Sequence, residues 1–291
     1  MKKINLGPFF FILCFLLAFW GYRRYDALHT DTDLPTITID DTQLLQVSVQ
    51  DPKIALLQGV TAQDKQDGAL TEKLVVEYMQ LVNRNGLIEV GYAVADNAGN
   101  VAKATREVKY TDYKSPKFSL DAPLVYEEHD QFDIMSAVGA YDVLDGDIQH
   151  RIRATSLDEE DISKLGKHQV YFQVTNSLGD TVNLVMPVEV LEPDTYDADL
   201  TLTDYLIYLP VGISFQPDTY LESFTHRGEE FSLINGLPRD FSLKTSGTVD
   251  TGTPGVYTVE YKVTYTIRND LNRDYDQKFV GHSKLIVVVE G

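Results

Sequence analysis

A chain of 291 residues with 43% hydrophobic and 24% charged side chains has the composition of a globular protein and room for two or three domains. Its net charge of −19 is uneven: residues 1–24 hold four basic groups and no acid, which leaves 21 basic against 44 acidic residues in the remainder. Such a surface repels nucleic acid and anionic lipid, so neither is expected as its partner, and with Cys14 the single cysteine there is no disulfide framework outside the N-terminal segment.

Residues 6–22, LGPFFFILCFLLAFWGY, form one uncharged apolar block behind Lys2 and Lys3. Its 17 residues reach the short end of a membrane span. Ala18-Phe19-Trp20-Gly21 lacks the small-residue pair that cleavage needs, so the block reads as a retained signal-anchor over 1–24 rather than a cleaved leader. The expected placement is a single-pass protein of the cell membrane with its C-terminal part outside. A polar stalk, 25–32, follows.

From Pro35 onward the pattern is that of strands. Thr36 to Ile39 alternates, Gln46 to Val49 is a second short run, and Asp64-Lys65-Gln66-Asp67-Gly68 is a turn in which Asp caps and Gly takes positive φ. Leu74 to Leu81 leads into Gly86–Tyr110. There Ile88, Val90, Tyr92 and Val94 alternate up to Asp96-Asn97-Ala98-Gly99-Asn100, and the chain returns from Val101. Period-two patterning on both sides of an Asn/Asp/Gly cluster predicts a β-hairpin.

The same order recurs about 80 residues later. Phe118 to Leu120 stands for the first strand, Asp142, Asp145 and Gly146 for Asp64, Asp67 and Gly68, and Gly166 to Val174 for Gly86 to Val94. Asn176-Ser177-Leu178-Gly179-Asp180 takes the place of Asp96 to Asn100. A third, looser copy keeps Gly255 to Val263 and a return arm at Lys284–Val289, has a longer charged loop between them (268–281), and lacks the acidic turn. Helical periodicity is confined to Ser156–Leu165, where a capped helical turn is expected. The expectation is an all-β chain of tandem antiparallel sandwiches at 33–112, 113–192 and 193–291, following an N-terminal transmembrane helix.

The run Ala-x-Asp-x-x-Asp-Gly-x-Leu-Thr from Ala62 to Thr71, followed by the hairpin ending in Asp-Asn-Ala-Gly-Asn, resembles the immunoglobulin-like repeats of bacterial surface proteins, the bacterial Ig-like and HYR-related domains. The second copy departs at Asn176 and Ser177, and the third keeps only the glycine-led strand. The resemblance implies Ig-like folds, an extracellular location, a spacer or adhesive role and no catalysis.

Candidate chemistry centres on the acidic turns. Asp64, Asp67 and Asp96 in the first copy, and Asp142, Asp145 and Asp147 in the second, could supply hard oxygens to calcium, or could serve only to cap their own turns. The six histidines are scattered, as surface residues would be. Tyr196, Tyr205, Tyr208 and Tyr220, with Phe215 and Phe224, cluster early in the third copy, where they would form either core or a sugar-binding platform. The expected function is therefore a non-catalytic surface spacer or adhesion protein with a protein or cell-wall ligand. A glycan-binding module is the alternative and an extracellular hydrolase a distant third.

Overall fold

The computed structural model describes residues 7–29, 31–128, 133–157, 161–193, 195–268 and 276–291. The chain is all-β apart from helix α1 (Gly7–His29), one four-residue helix α2 (Ile134–Ala137) and single 3-10 turns. It divides into two compact units, Met1–Tyr113 and Lys114–Gly291.

The apolar block was expected to span a membrane. It does form α1, but among the described residues no helix is long and apolar enough to cross one. A span needs about 20 apolar residues, and this helix turns basic at Arg23 and Arg24, whose guanidinium groups lie over the rings of Phe19 and Trp20. The apolar side chains from Phe11 to Trp20 are exposed.

In the first unit seven strands follow: β1 (Thr36–Ile39), β2 (Leu45–Val47), β3 (Val60–Asp64), β4 (Gly68–Ala69), β5 (Val75–Asn83), β6 (Leu87–Ala95) and β7 (Val101–Tyr110). They build two sheets, β1-β3-β4 and β2-β7-β6-β5. The alternation read from β6 is its burial pattern: Ile88, Val90 and Tyr92 are fully buried and Val94 nearly so. Facing them from the other sheet are the buried Val60 and Ala62 of β3. The Tyr92 hydroxyl donates to the Leu56 carbonyl at 2.7 Å, and the buried Arg106 donates to both that carbonyl and the Tyr92 oxygen. A buried phenol and a buried guanidinium are thus both satisfied. Gly86, which opens the hairpin, has φ +85°, and a Cβ there would sit 2.5 Å from the Tyr110 carbonyl oxygen. Only glycine fits.

The second unit repeats this plan twice. Strands β8 (Lys117–Leu120), β9 (Val125–Glu127), β10 (Val138–Asp142), β11 (Gly146–Asp147), β12 (Arg153–Ser156), β13 (Gly166–Thr175) and β14 (Thr181–Leu191) form sheets β11-β10-β8 and β12-β13-β14-β9. Then come β15 (Ala198–Leu202), β16 (Leu206–Pro210), β17 (Leu221–His226), β18 (Glu229–Ser232), β19 (Phe241–Ser246), β20 (Gly255–Ile267) and β21 (Gln277–Glu290). Their pairing is the same: β15 with β17 and β17 with β18, then β19, β20 and β21 in sequence with β16 alongside β21. The two sheets of this last set run together because Ala198 and Asp199 also pair with Gly281 and His282.

The strands are not uniformly antiparallel. In each set the opening strand crosses from one sheet to the other, so that β2, β9 and β16 lie parallel to β7, β14 and β21. The third set accordingly opens with two strands, β15 and β16, separated by a break at Thr203–Tyr205. The helical turn expected at 156–165 falls partly on residues outside those described; Ser156 itself ends β12. Much of the charged loop at 268–281 likewise lies outside the described residues, and β21 already begins at Gln277.

Within the second unit the core does not stop at the boundary between the two sets. Phe118, Phe172, Met186 and Val188 form one buried cluster with Leu206 and Ile286, against which Tyr205, Tyr208 and Val288 pack. The Tyr208 hydroxyl accepts the Phe118 amide at 3.0 Å, and burial drives its pKa up to about 12. Beside this apolar junction lies an ionic one. Lys284, 5% exposed, pairs with Glu189 of β14, and Lys167 bridges Glu189 and Glu260. Hydrogen bonding to Lys167 holds the Glu260 carboxyl below its usual range. A buried ion pair is costly to break one-sidedly. Lys284→Ala is therefore expected to destabilise the chain by about 3 kcal/mol in urea unfolding. Lys284→Met combined with Glu189→Leu should recover most of that loss.

Candidate metal centre

The two acidic turns use the same bonding scheme up to one atom. In the first, Asp64 Oδ1 accepts the amides of Gln66 (2.7 Å) and Asp67 (2.9 Å), closing the β3–β4 turn. Asp67 spends both oxygens on Asn97, accepting its amide at 2.6 Å and its side-chain Nδ2 at 2.7 Å, which ties this turn to the one between β6 and β7. Asp96 accepts the Asn100 amide at 2.8 Å on Oδ1 and Asn100 Nδ2 at 2.7 Å on Oδ2. Asn100 Nδ2 also donates to the backbone carbonyl of Asp31 at 3.1 Å.

The second turn repeats these bonds. Asp142 Oδ1 accepts the amides of Leu144 and Asp145. Asp145 clasps Ser177 through its amide (2.6 Å) and hydroxyl (2.7 Å), and pairs with Arg151 at 2.7 Å. Asp147 only caps Gln149.

The schemes part at the remaining oxygen. Asp142 Oδ2 accepts Asn176 Nδ2 at 3.0 Å. Asp64 Oδ2 is buried with no hydrogen-bond partner among the described residues, in a residue only 7% exposed. Opposite it stands Asp96, a carboxylate with no proton to give, where the second copy has Asn176. One oxygen from each of Asp31, Asp64 and Asp96 lies within 4.8 Å of the others. Among the described residues this is the cluster that could hold a metal. It joins two of the aspartates singled out from sequence and adds Asp31, which the sequence reading placed in the stalk. Asp67, Asp142, Asp145 and Asp147 are outside it. The signal for Asp31 was thin: an aspartate a few residues ahead of the first strand.

Three of the turn carboxyls, those of Asp64, Asp96 and Asp145, are displaced toward the anion. Hydrogen bonds from the Asp67 and Gln66 amides hold Asp64 below the usual carboxylate range. Burial pushes Asp96 up, but the Asn100 side chain and amide outweigh it and the net displacement is downward. Asp145 is displaced the same way, burial being outweighed by Ser177 and Arg151.

The third set has no acidic turn. Its β17–β18 hairpin turns on Arg227 and Gly228, both at positive φ. Its aromatics are spent on packing: Phe224 is fully buried, Tyr205 and Tyr208 serve the junction, Tyr196 stacks on His282 and Phe215 on Tyr220. Missed in the sequence was a second aromatic group, Phe224, Phe231, Phe241, Tyr265 and Phe279, drawn from distant strands. The histidines are not all surface residues either. His168 and His226 are buried, each with a ring nitrogen against a backbone carbonyl, Lys164 at 2.7 Å and Asp197 at 2.9 Å.

No family model matches the chain. The pesticidal crystal protein Cry22Aa of Bacillus thuringiensis is 29% identical over 237 residues, covering 79% of this chain and 31% of that protein. The chain thus spans about a third of that relative's length. Solved structures that align with it include the M60 catalytic domain with two CBM51 domains from Clostridium perfringens ZmpB (12% identity, 88% of this chain and 43% of that one, TM-score 0.25). Drosophila N-cadherin EC1-4 also aligns (12% identity, 90% and 76% coverage, TM-score 0.21).

The bond between Asp142 and Asn176 predicts the outcome of removing it. Asn176→Asp removes the donor to Asp142 Oδ2 and sets a second carboxylate beside it in a buried turn. It is expected to cost about 1–3 kcal/mol at pH 7. The deficit relative to the parent chain should close as pH falls below about 4, where the pair shares a proton. Thermal melts of both proteins across pH 3–8 check this.

Proposed function

We propose that the chain is a non-catalytic cell-surface protein whose three seven-stranded sets are Ig-like domains acting as a spacer, with adhesion to a protein or cell-wall partner. The observation that carries this reading is the use of the chemistry-bearing side chains. The aspartates of the turns clasp backbone amides, and Tyr205 and Tyr208 of the third set pack into the junction with the second. A chain that spends its polar and aromatic groups on fixing turns and welding domains is built for mechanical continuity. The acidic surface keeps it soluble and away from anionic lipid. In this reading α1, whose apolar side chains are exposed, holds the protein at the membrane and the β domains lie outside. The segment shared with the pesticidal crystal protein would be a domain type carried by both proteins, with that relative's activity residing in the whole of its longer chain.

Two measurements on the full chain test this. Protease added to intact cells is expected to remove the β domains; their survival while a cytoplasmic marker also survives would contradict a surface location. On a glycan array the purified chain is expected to give no saturable binding. Saturable binding that falls at least tenfold in Tyr220→Ala, whose ring stacks on Phe215, would replace the spacer reading with a glycan-binding one.

A further inference from the structure

We propose that Asp31, Asp64 and Asp96 form a calcium site that ties the segment before β1 to the acidic-turn end of the first set of strands. The cluster of three carboxylates is one observation. The independent one is Asp64 Oδ2, an anionic oxygen in a residue only 7% exposed and, among the described residues, without a hydrogen-bond donor. An orphaned buried acceptor is costly, and more so when charged, unless something fills the role. In the second copy something does: the same oxygen, on Asp142, takes the amide of Asn176. The two turns therefore treat one oxygen differently: in one an internal donor meets it, and in the other no donor among the described residues does.

The chemistry of the donors selects the ion. Three carboxylate oxygens are hard ligands. Calcium–oxygen distances are about 2.3–2.6 Å, so oxygens up to about 4.8 Å apart can share one ion, and the three oxygens here meet that limit. The ammonium of Lys65, next to Asp64 in the chain, is exposed and pairs with Asp33 at 3.6 Å. Each aspartate also has an oxygen already fixed by an amide: Asp31 by Asp33, Asp64 by Gln66 and Asp67, Asp96 by Asn100. The ligands are thus held in place before the ion arrives, which lowers the ordering cost of binding. Asp31 lies between α1 and β1, so a bound ion fixes the point where the chain enters its first domain.

Titration calorimetry on the full chain with calcium chloride is the test. One site with a Kd of about 10⁻⁴–10⁻³ M is expected, the range of extracellular modules. A rise in the melting temperature of the parent chain in 10 mM calcium, reversed by EDTA, should accompany it. Asp64→Asn keeps Oδ1 for the turn amides and supplies an amide toward Asp96, so it should fold and lose calcium binding at least tenfold. Asp31→Asn, outside the sheets, should weaken binding without lowering the metal-free melting temperature. Asp142→Asn should leave calcium affinity unchanged. Absence of any heat or melting shift in the parent chain overturns the proposal. So does equal calcium affinity in the parent, Asp64→Asn and Asp31→Asn proteins.

Discussion

A buried aspartate that closes a turn with one oxygen has a second oxygen to account for. In this protein that requirement organises the end of each of the first two sets of strands. Asp64 and Asp142 each accept two amides of their own turn, and Asp67 and Asp145 each reach across to the turn of the long hairpin. Two loops far apart in sequence are thereby fastened to one another, which holds the turn after β3, and likewise the turn after β10, against the long hairpin of the other sheet. Hydrogen bonds to ionised acceptors are the stronger kind. They explain why turns with so little apolar content hold their shape.

The sandwich around these turns rests on a different constraint. A strand buried on one face tolerates no slip in register, because a shift of one residue reverses every side chain. Ile88, Val90 and Tyr92, and likewise Val170, Phe172 and Val174, point inward on that basis. The opening strand of each set then leaves one sheet and joins the other beside the last strand, covering two edges with one segment. An uncovered edge invites pairing with another chain. Between the second and third sets, the core continues through Leu206 and Ile286 and is flanked by Lys284 and Glu189, so the 114–291 unit behaves as one packed body.

Much of this was legible in the residues. Alternation marked β6 and β13 because most of their inward positions are apolar, and Asp-Gly marked the acidic turns because those residues suit local capping and positive φ. The all-β class followed. What could not be read was pairing at a distance. Nothing in Leu45-Gln46-Val47 says that it will lie parallel to Val108-Lys109-Tyr110, since parallel partnership is decided by the far strand. The tyrosines at 205 and 208 carry the same signal whether they face a ligand or a neighbouring domain, and only the packing distinguishes them. Asp31 was overlooked because a ligand contributed from outside a repeat has no counterpart in the other copies. The apolar block runs into Arg23 and Arg24, and the helix continues past it to His29, so its apolar part stays at 17 residues and does not make a span.

The central claim is that two near-identical turns solve one electrostatic problem in different ways, one with an internal amide and one with a cation. Residue-resolved hydrogen exchange of the full chain, with and without calcium, tests it most directly because both turns are read in the same molecule. The account predicts slower exchange at the Gln66, Asp67 and Asn100 amides in calcium and no change at Leu144, Asp145 and Asp180. Equal slowing in both turns, or in neither, would contradict it.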